Sequence, residues 1–149
     1  MKLMLVCTSG GHFATMQGLR SFWSQHDRVW VTDPKKDTES LNKGEKVHWL
    51  PYQAPRDIAR LLLNLPATFK LIWDEKPDMI ISTGASIAIN FGFAAKLLGV
   101  RFVYIESISR FEELSLSGRL LYPIANEFYV QWPNLCQKYP KAMFRGYAS

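Results

Sequence analysis

Two short turns carry most of the residues suited to chemistry. Cys7-Thr8-Ser9-Gly10-Gly11-His12 holds two hydroxyls, two adjacent glycines and a histidine, and Thr83-Gly84-Ala85-Ser86 pairs a glycine and an alanine with two more hydroxyls. Glycine lets a backbone approach a ligand closely, and a helix starting at such a turn directs unpaired N–H groups and a positive dipole end towards it. Gly10 and Gly11 therefore read as an anion cradle with Gly84 as its counterpart. Ser9, Thr83 and Ser86 read as hydrogen-bond donors to a phosphate or a sugar, with helix capping as the second reading of Ser86. His12 is the candidate base, because a ring in the first helical turn reaches the crevice; its alternative is to hold the loop through a backbone bond. Glu106 either orients or deprotonates a hydroxyl, or organises the Ser107–Arg110 loop. Arg110 has the fork geometry to clamp a phosphate, or pairs with Glu112 or Glu113.

Alternating elements must position these residues. Leu3 to Cys7 is an apolar run that reads as a strand buried on both faces. Phe13, Met16, Leu19, Phe22 and Trp23 then recur at helical spacing. Arg28–Thr32 and Lys46–Leu50 read as strands two and three, separated by a polar loop over 35–44 with at most one helical turn. From about Arg56 to Glu75, Ile58, Leu61, Leu62, Leu65, Phe69, Ile72 and Trp73 form a helical stripe, and Pro66 predicts a kink or two shorter helices. The stripe matches core spacing. Leu63 and Leu71 fall off it, and with Arg56, Arg60 and Lys70 nearby they leave a membrane-facing surface as the alternative.

Asp78–Ser82 is the fourth strand, and Ile87–Leu98 is a helix apolar on nearly every side, stopped by Gly99. Arg101–Ile105 and Glu127–Val130 are strands five and six. They are separated by a polar connection and a short helix over about 119–125, and a last helix runs over about 132–139. Alternation of this kind requires parallel strands with right-handed crossovers. The fold class is therefore α/β, a Rossmann-like doubly wound parallel sheet of order 3-2-1-4-5-6, with both small-residue turns flanking one crevice at the switch point.

The bulk properties narrow the function. The 149 residues, 48% apolar and 21% charged, fit one globular domain over 1–149. The net charge of +5 is scattered without the basic clusters of a nucleic-acid face, which leaves anionic lipid or a phosphorylated substrate as its partner. No apolar run reaches the roughly 18 residues of a membrane span, and no signal-peptide pattern precedes the first strand. Cys7 and Cys136 are isolated thiols suited to a reducing cytoplasm, and His12, His26 and His48 lack metal-ligand spacing, so no metal site is expected. Neither G-x-G-x-x-G nor a P-loop ending is present, although Asp33 stands near the place of a ribose-binding acid, so a nucleotide-binding Rossmann enzyme is kept as an alternative.

Five runs carry a resemblance: Thr8–His12, Ser82–Ser86, Tyr104–Arg110, Leu114–Arg119 and Val130–Pro133. Over nearly its whole length the chain resembles the acceptor-side subunit of the two-part N-acetylglucosaminyltransferase of lipid-linked oligosaccharide synthesis. It is closer still to that subunit's bacterial counterparts in capsule and exopolysaccharide synthesis. The resemblance implies the N-terminal half of a GT-B glycosyltransferase that faces an undecaprenyl-type lipid-diphosphate acceptor. It also implies a separate donor-binding partner that supplies the UDP-sugar site, no cofactor on this chain, and peripheral contact with the inner face of the cell membrane. A non-catalytic scaffold that recruits the transferase is the competing reading. The C-terminal run Met143-Phe144-Arg145-Gly146-Tyr147 and Trp132-Pro133 are apolar enough for a partner interface.

Overall fold

Strand-forming runs alternate with helical ones along the chain, and in the computed structural model, which describes residues 1–146, they assemble into a single sheet. The strands are β1 (Lys2–Val6), β2 (Asp27–Thr32), β3 (Val47–Trp49), β4 (Met79–Ser82), β5 (Arg101–Ile105), β6 (Glu127–Val130) and β7 (Ala142–Phe144). All pairings are parallel and the order is β3-β2-β1-β4-β5-β6-β7, so the predicted order holds and gains a seventh strand at the β6 edge. Met143 and Phe144, expected as part of a partner-facing tail, form that strand, while Tyr147 lies outside the described residues.

The helices are α1 (Gly11–Gln17), α2 (Arg20–Trp23), α3 (Ile58–Glu75), α4 (Ile87–Leu98), α5 (Leu116–Leu121) and α6 (Leu135–Lys138). The first predicted helix is divided, because the chain tightens at Gly18 and Leu19 before α2 begins. The last is one turn only. α3 is a single unbroken helix despite Pro66, opened by Asp57, whose carboxylate accepts the Arg60 N–H at 3.0 Å. Pro66 stands on the exposed side of α3, away from the core, and the helix continues through it.

Alternate residues of each strand feed two cores. Met4, Val6, Ile80, Phe102, Tyr104 and Phe128 pack with α3, α4 and α5 on one face. Leu3, Leu5, Trp30, Ile81 and Val103 face the other way, against Phe13, Met16 and Trp23 of α1 and α2. On that second face α1 and α2 lie over β1 and β2. Beyond them a groove of about 430 Å3 runs over β4–β6, lined by Leu19, Phe22, Ile81, Val103, Ile105 and Tyr129 among others.

Four of the seven residues of the predicted α3 stripe turn inward and three do not. Leu61, Leu65 and Phe69 are half-buried and Ile72 is buried, whereas Ile58, Leu62 and Trp73 are exposed. Phe22, expected inside, is also exposed and borders the groove.

Candidate functional site

Register brings the site residues to one edge. Val6 is paired with Ser82 and Ser82 with Tyr104, so the turns after β1 and β4 and the loop after β5 leave the sheet at the same level. Gly10 (φ +87°) turns the chain from β1 into α1, and a Cβ placed on Gly10 or Gly11 would meet nothing within 4 Å. That side of the turn is open. Its donors, however, are engaged from within. The Ser9 N–H and hydroxyl both donate to the buried Asp33 carboxylate, at 2.7 and 2.8 Å, and the Gly10 N–H donates to Asp37 at 2.7 Å. The expectation that Ser9 and Gly10 offer free donors to an anion is corrected by these two carboxylates. Asp33, noted as a possible ribose ligand, fastens the turn instead.

His12 joins the first turn to the second. Its Nδ1 lies 2.9 Å from the Thr83 carbonyl oxygen, and the Thr83 hydroxyl donates back to the His12 carbonyl at 2.6 Å. A carbonyl oxygen has no proton to give, so in the neutral ring Nδ1 carries the hydrogen and Nε2 is the free acceptor. The ring is half-buried. It lies across Gly84, whose φ of +121° and missing side chain both belong to this contact. Ala85 follows at φ +74°, a conformation few non-glycine residues adopt.

Thr83 and Ser86 were expected to present hydroxyls to a ligand. Thr83 is buried with its hydroxyl committed to His12. The Ser86 hydroxyl donates to the Gln53 carbonyl at 3.1 Å and accepts from Gln53 Nε2 at 3.0 Å, and it does not cap α4. Both readings of Ser86 give way to a third. It belongs to a buried amide network in which Gln53 also donates to Asn90 at 3.1 Å and accepts from Asn64 at 2.9 Å. This network ties the segment before α3 to the start of α4.

Glu106 is 1% exposed, directly beyond β5. Its carboxylate accepts the Ser107 and Ser115 N–H groups at 2.9 Å each and the Ser115 hydroxyl at 2.9 Å. Ser115 in turn caps α5 by accepting the Gly118 N–H at 3.0 Å. A Cβ on Gly118 would fall 2.2 Å from Glu106 Oε2. The Tyr104 phenol lies 3.4 Å from the same carboxylate, and burial together with that negative charge pushes its pKa up and keeps it neutral. A carboxylate so enclosed organises the loop, the second of its two readings.

Arg110 ends this loop, exposed, and makes no ion pair among the described residues, since Glu113 is taken by Arg119 at 2.6 Å and Lys138 at 3.6 Å. Gln131 Nε2 donates to the Glu106 carbonyl at 3.0 Å and Trp132 Nε1 to the Ile108 carbonyl at 2.6 Å. The runs at 104–110, 114–119 and 130–133 thus form one interlocked unit around Glu106. Gln53 escaped the sequence reading; Tyr104 and Ser115 stand in runs it singled out but without a role, and Ser115 had a signal in its position before a helix-forming run. Among the described residues no group of three His, Cys, Asp or Glu side chains is placed to hold a metal ion.

Residues 53–148 match the family model described as oligosaccharide biosynthesis protein Alg14 like. The chain belongs to this family. It is similar to the UDP-N-acetylglucosamine transferase subunit ALG14 of Mus musculus, at 40% identity over 98% of this chain and 82% of the relative. The subunit of the same name from Yarrowia lipolytica is 32% identical over 97% of this chain and 80% of its own. Members of the Alg14 family are thus named as transferase subunits.

Among solved structures, MurG from Acinetobacter baumannii superposes with a TM-score of 0.79 at 15% identity, and a Staphylococcus aureus MnaA–UDP complex with 0.77 at 16%. At that identity the likeness is one of fold, the Rossmann-like sheet of GT-B glycosyltransferases and sugar-nucleotide epimerases. Each match covers 99% of this chain and 45% of the solved one, so the chain spans under half the length of these structures.

Proposed function

We propose that this chain is the acceptor-side subunit of a two-part UDP-sugar-dependent glycosyltransferase, with His12 as the base that deprotonates the attacking acceptor hydroxyl. One observation carries the reading: the Thr83 carbonyl holds Nδ1 of His12 at 2.9 Å and leaves Nε2 as an acceptor on a half-buried ring beside an open glycine turn. In the reaction the acceptor oxygen gives its proton to Nε2 and bonds to the anomeric carbon of the donor sugar. The bond from that carbon to UDP breaks, and the charge gathers on the departing diphosphate. The donor and its leaving group belong to the partner.

Arg110 is the group we assign to the acceptor diphosphate, because it is exposed and free of any ion pair among the described residues. Gly11 and the open side of Gly10 give the acceptor its closest approach to the backbone. Glu106 serves the site by fixing the loop that carries Arg110. The groove over β4–β6 supplies apolar surface for the donor-binding partner. An undecaprenyl-type lipid carrier, a capsule or exopolysaccharide setting and attachment to the inner membrane face belong to the same proposal. Among the described residues no helix is long and apolar enough to cross a membrane.

The test is reconstitution with the donor-binding partner, a lipid-diphosphate sugar acceptor and a panel of radiolabelled UDP-sugars. His12→Ala should lower transfer by about 10²–10⁴-fold, the usual worth of a general base. Transfer that survives this change would establish the chain as a recruiting scaffold with the chemistry wholly on the partner.

A further inference from the structure

Arg56 occupies a place that favours glycine. The Ala54 carbonyl accepts the Asp57 N–H at 3.3 Å and closes a turn in which Pro55 is second and Arg56, at φ +63°, is third. Proline suits the second place of such a turn, whereas the third calls for glycine or asparagine, because a Cβ crowds the backbone at positive φ. Two other non-glycine residues among those described have positive φ. Lys76 ends α3, where a left-handed residue is the ordinary stop, and Ala85 adjoins Gly84 in the turn under the His12 ring. Arg56 has no such place. It is exposed and makes no ion pair among the described residues, and the adjacent Asp57 is engaged as the cap of α3. Backbone strain of this kind collects where a site needs a particular side chain.

The turn is fastened to the crevice. Ser86 Oγ lies 3.1 Å from the Gln53 carbonyl oxygen and 3.3 Å from that of Ala54, the residue that opens the Arg56 turn. Ser86 follows Gly84 and Ala85 directly, so the chain bearing Arg56 abuts the turn after β4. Arg110 reaches the same turn from the loop after β5. Its charge acts on the Tyr104 phenol, whose oxygen is 3.5 Å from the place of a Gly84 Cβ. Two unpaired guanidinium groups are thus carried to the Gly84 turn by separate elements, and the His12 ring lies across that turn.

We infer that Arg56 binds the acceptor's diphosphate together with Arg110, one guanidinium for each phosphoryl group. This deepens the proposed function and rests on it for the diphosphate-linked acceptor. A diphosphate that joins a lipid to a sugar has one anionic phosphoryl on either side of its bridging oxygen, and a guanidinium fork meets two oxygens of one phosphoryl. A single cation leaves the group free to pivot. Two, held by different elements, fix its direction over the Gly84 turn and aim the sugar end at His12.

The experiment is isothermal titration of the full chain with geranyl diphosphate and with geranyl monophosphate, alongside thermal melts. The parent should bind the diphosphate more tightly than the monophosphate. R56G should weaken diphosphate binding about tenfold or more, as expected for the loss of a charged hydrogen-bonding partner, and hold the monophosphate nearly as the parent does. It should melt no lower than the parent, because glycine takes φ +63° without strain. R56N, which tolerates the same φ, should repeat this result without the added freedom of glycine. R56K should recover part of the loss, and K96Q, near the far end of α4, should bind as the parent does. Equal diphosphate binding by R56G, or an equal loss for both ligands, overturns the inference, as does a parent with no preference for the diphosphate. So does weaker binding in which R56G and R56N both melt lower, since the arginine would then be holding the turn. Titration is read without any sugar transfer. Loss of diphosphate binding in R56G beside a reconstituted pair that transfers nothing upholds this site and removes the transferase reading alone. Transfer by R56G with the parent's acceptor KM removes Arg56 and leaves the transferase reading standing.

Discussion

The His12 ring and Gly84 exclude a side chain from the space between them: a Cβ on Gly84 would lie 2.8 Å from both Cε1 and Nδ1 of the ring. The two residues are far apart in sequence, yet their turns hold each other through two hydrogen bonds between His12 and Thr83. Gly84→Ala should displace the ring, break its bond to the Thr83 carbonyl and strain a backbone at φ +121°, at a cost of about 1–3 kcal/mol. Urea denaturation measures the stability. Nitrogen-detected NMR of the His12 ring should show Nδ1 losing its fixed proton.

Glu106→Gln separates the two roles once open to this residue. An amide would turn N–H groups towards donors that now converge on the carboxylate, leaving a half-buried Ser115 or Ser107 N–H unsatisfied, at about 1–3 kcal/mol. Thermal melts should fall accordingly. An unchanged melting temperature with abolished transfer would restore Glu106 as a base.

Ser86→Ala removes the hydroxyl that Gln53 both donates to and accepts from. The expected loss is about 1–2 kcal/mol. Amide hydrogen exchange should rise first in the segment before α3 and at the start of α4, with the β6–β7 edge unaffected.

Stability below pH 5 should depend on Glu75. Burial works against its ionisation, but hydrogen bonds from Lys46, Lys2 and His48 outweigh that and hold its pKa down to about 2, from 4.5. A folded-state value below the unfolded one means that the stabilisation is complete above 4.5 and drains away as pH falls towards 2. Glu75→Gln should flatten the acid limb of the stability curve and cost on the order of 2 kcal/mol at neutral pH. Denaturation midpoints across that range provide the check.

The sheet was legible where apolar runs ended in strong punctuation. α4 and β5 were predicted with their observed bounds, because Gly99 divides them and small residues mark the buried helix. β7 was missed because Ala142–Phe144 is three residues long and lies on an edge. The α3 stripe shows a different limit. Periodicity reports that a side is apolar, not that anything covers it, and Ile58, Leu62 and Trp73 kept the period while remaining exposed. At the site, residue types located the right turns, but donors and acceptors are claimed by groups remote in sequence. Asp33 and Asp37 take Ser9 and Gly10, and Gln53 takes Ser86. His12 stayed a candidate because its partner is a main-chain carbonyl, which leaves one ring nitrogen unspent.

The 2.2 Å approach of a Gly118 Cβ to Glu106 has a consequence for descent. Positions 106 and 118 should vary together: a relative that keeps the carboxylate in this place has no room for even a methyl at 118, and one that carries a larger residue there must move the acid. Divergence at this corner should therefore proceed in paired steps. A lone change at either position marks a lineage in which the loop carrying Arg110 has been rebuilt.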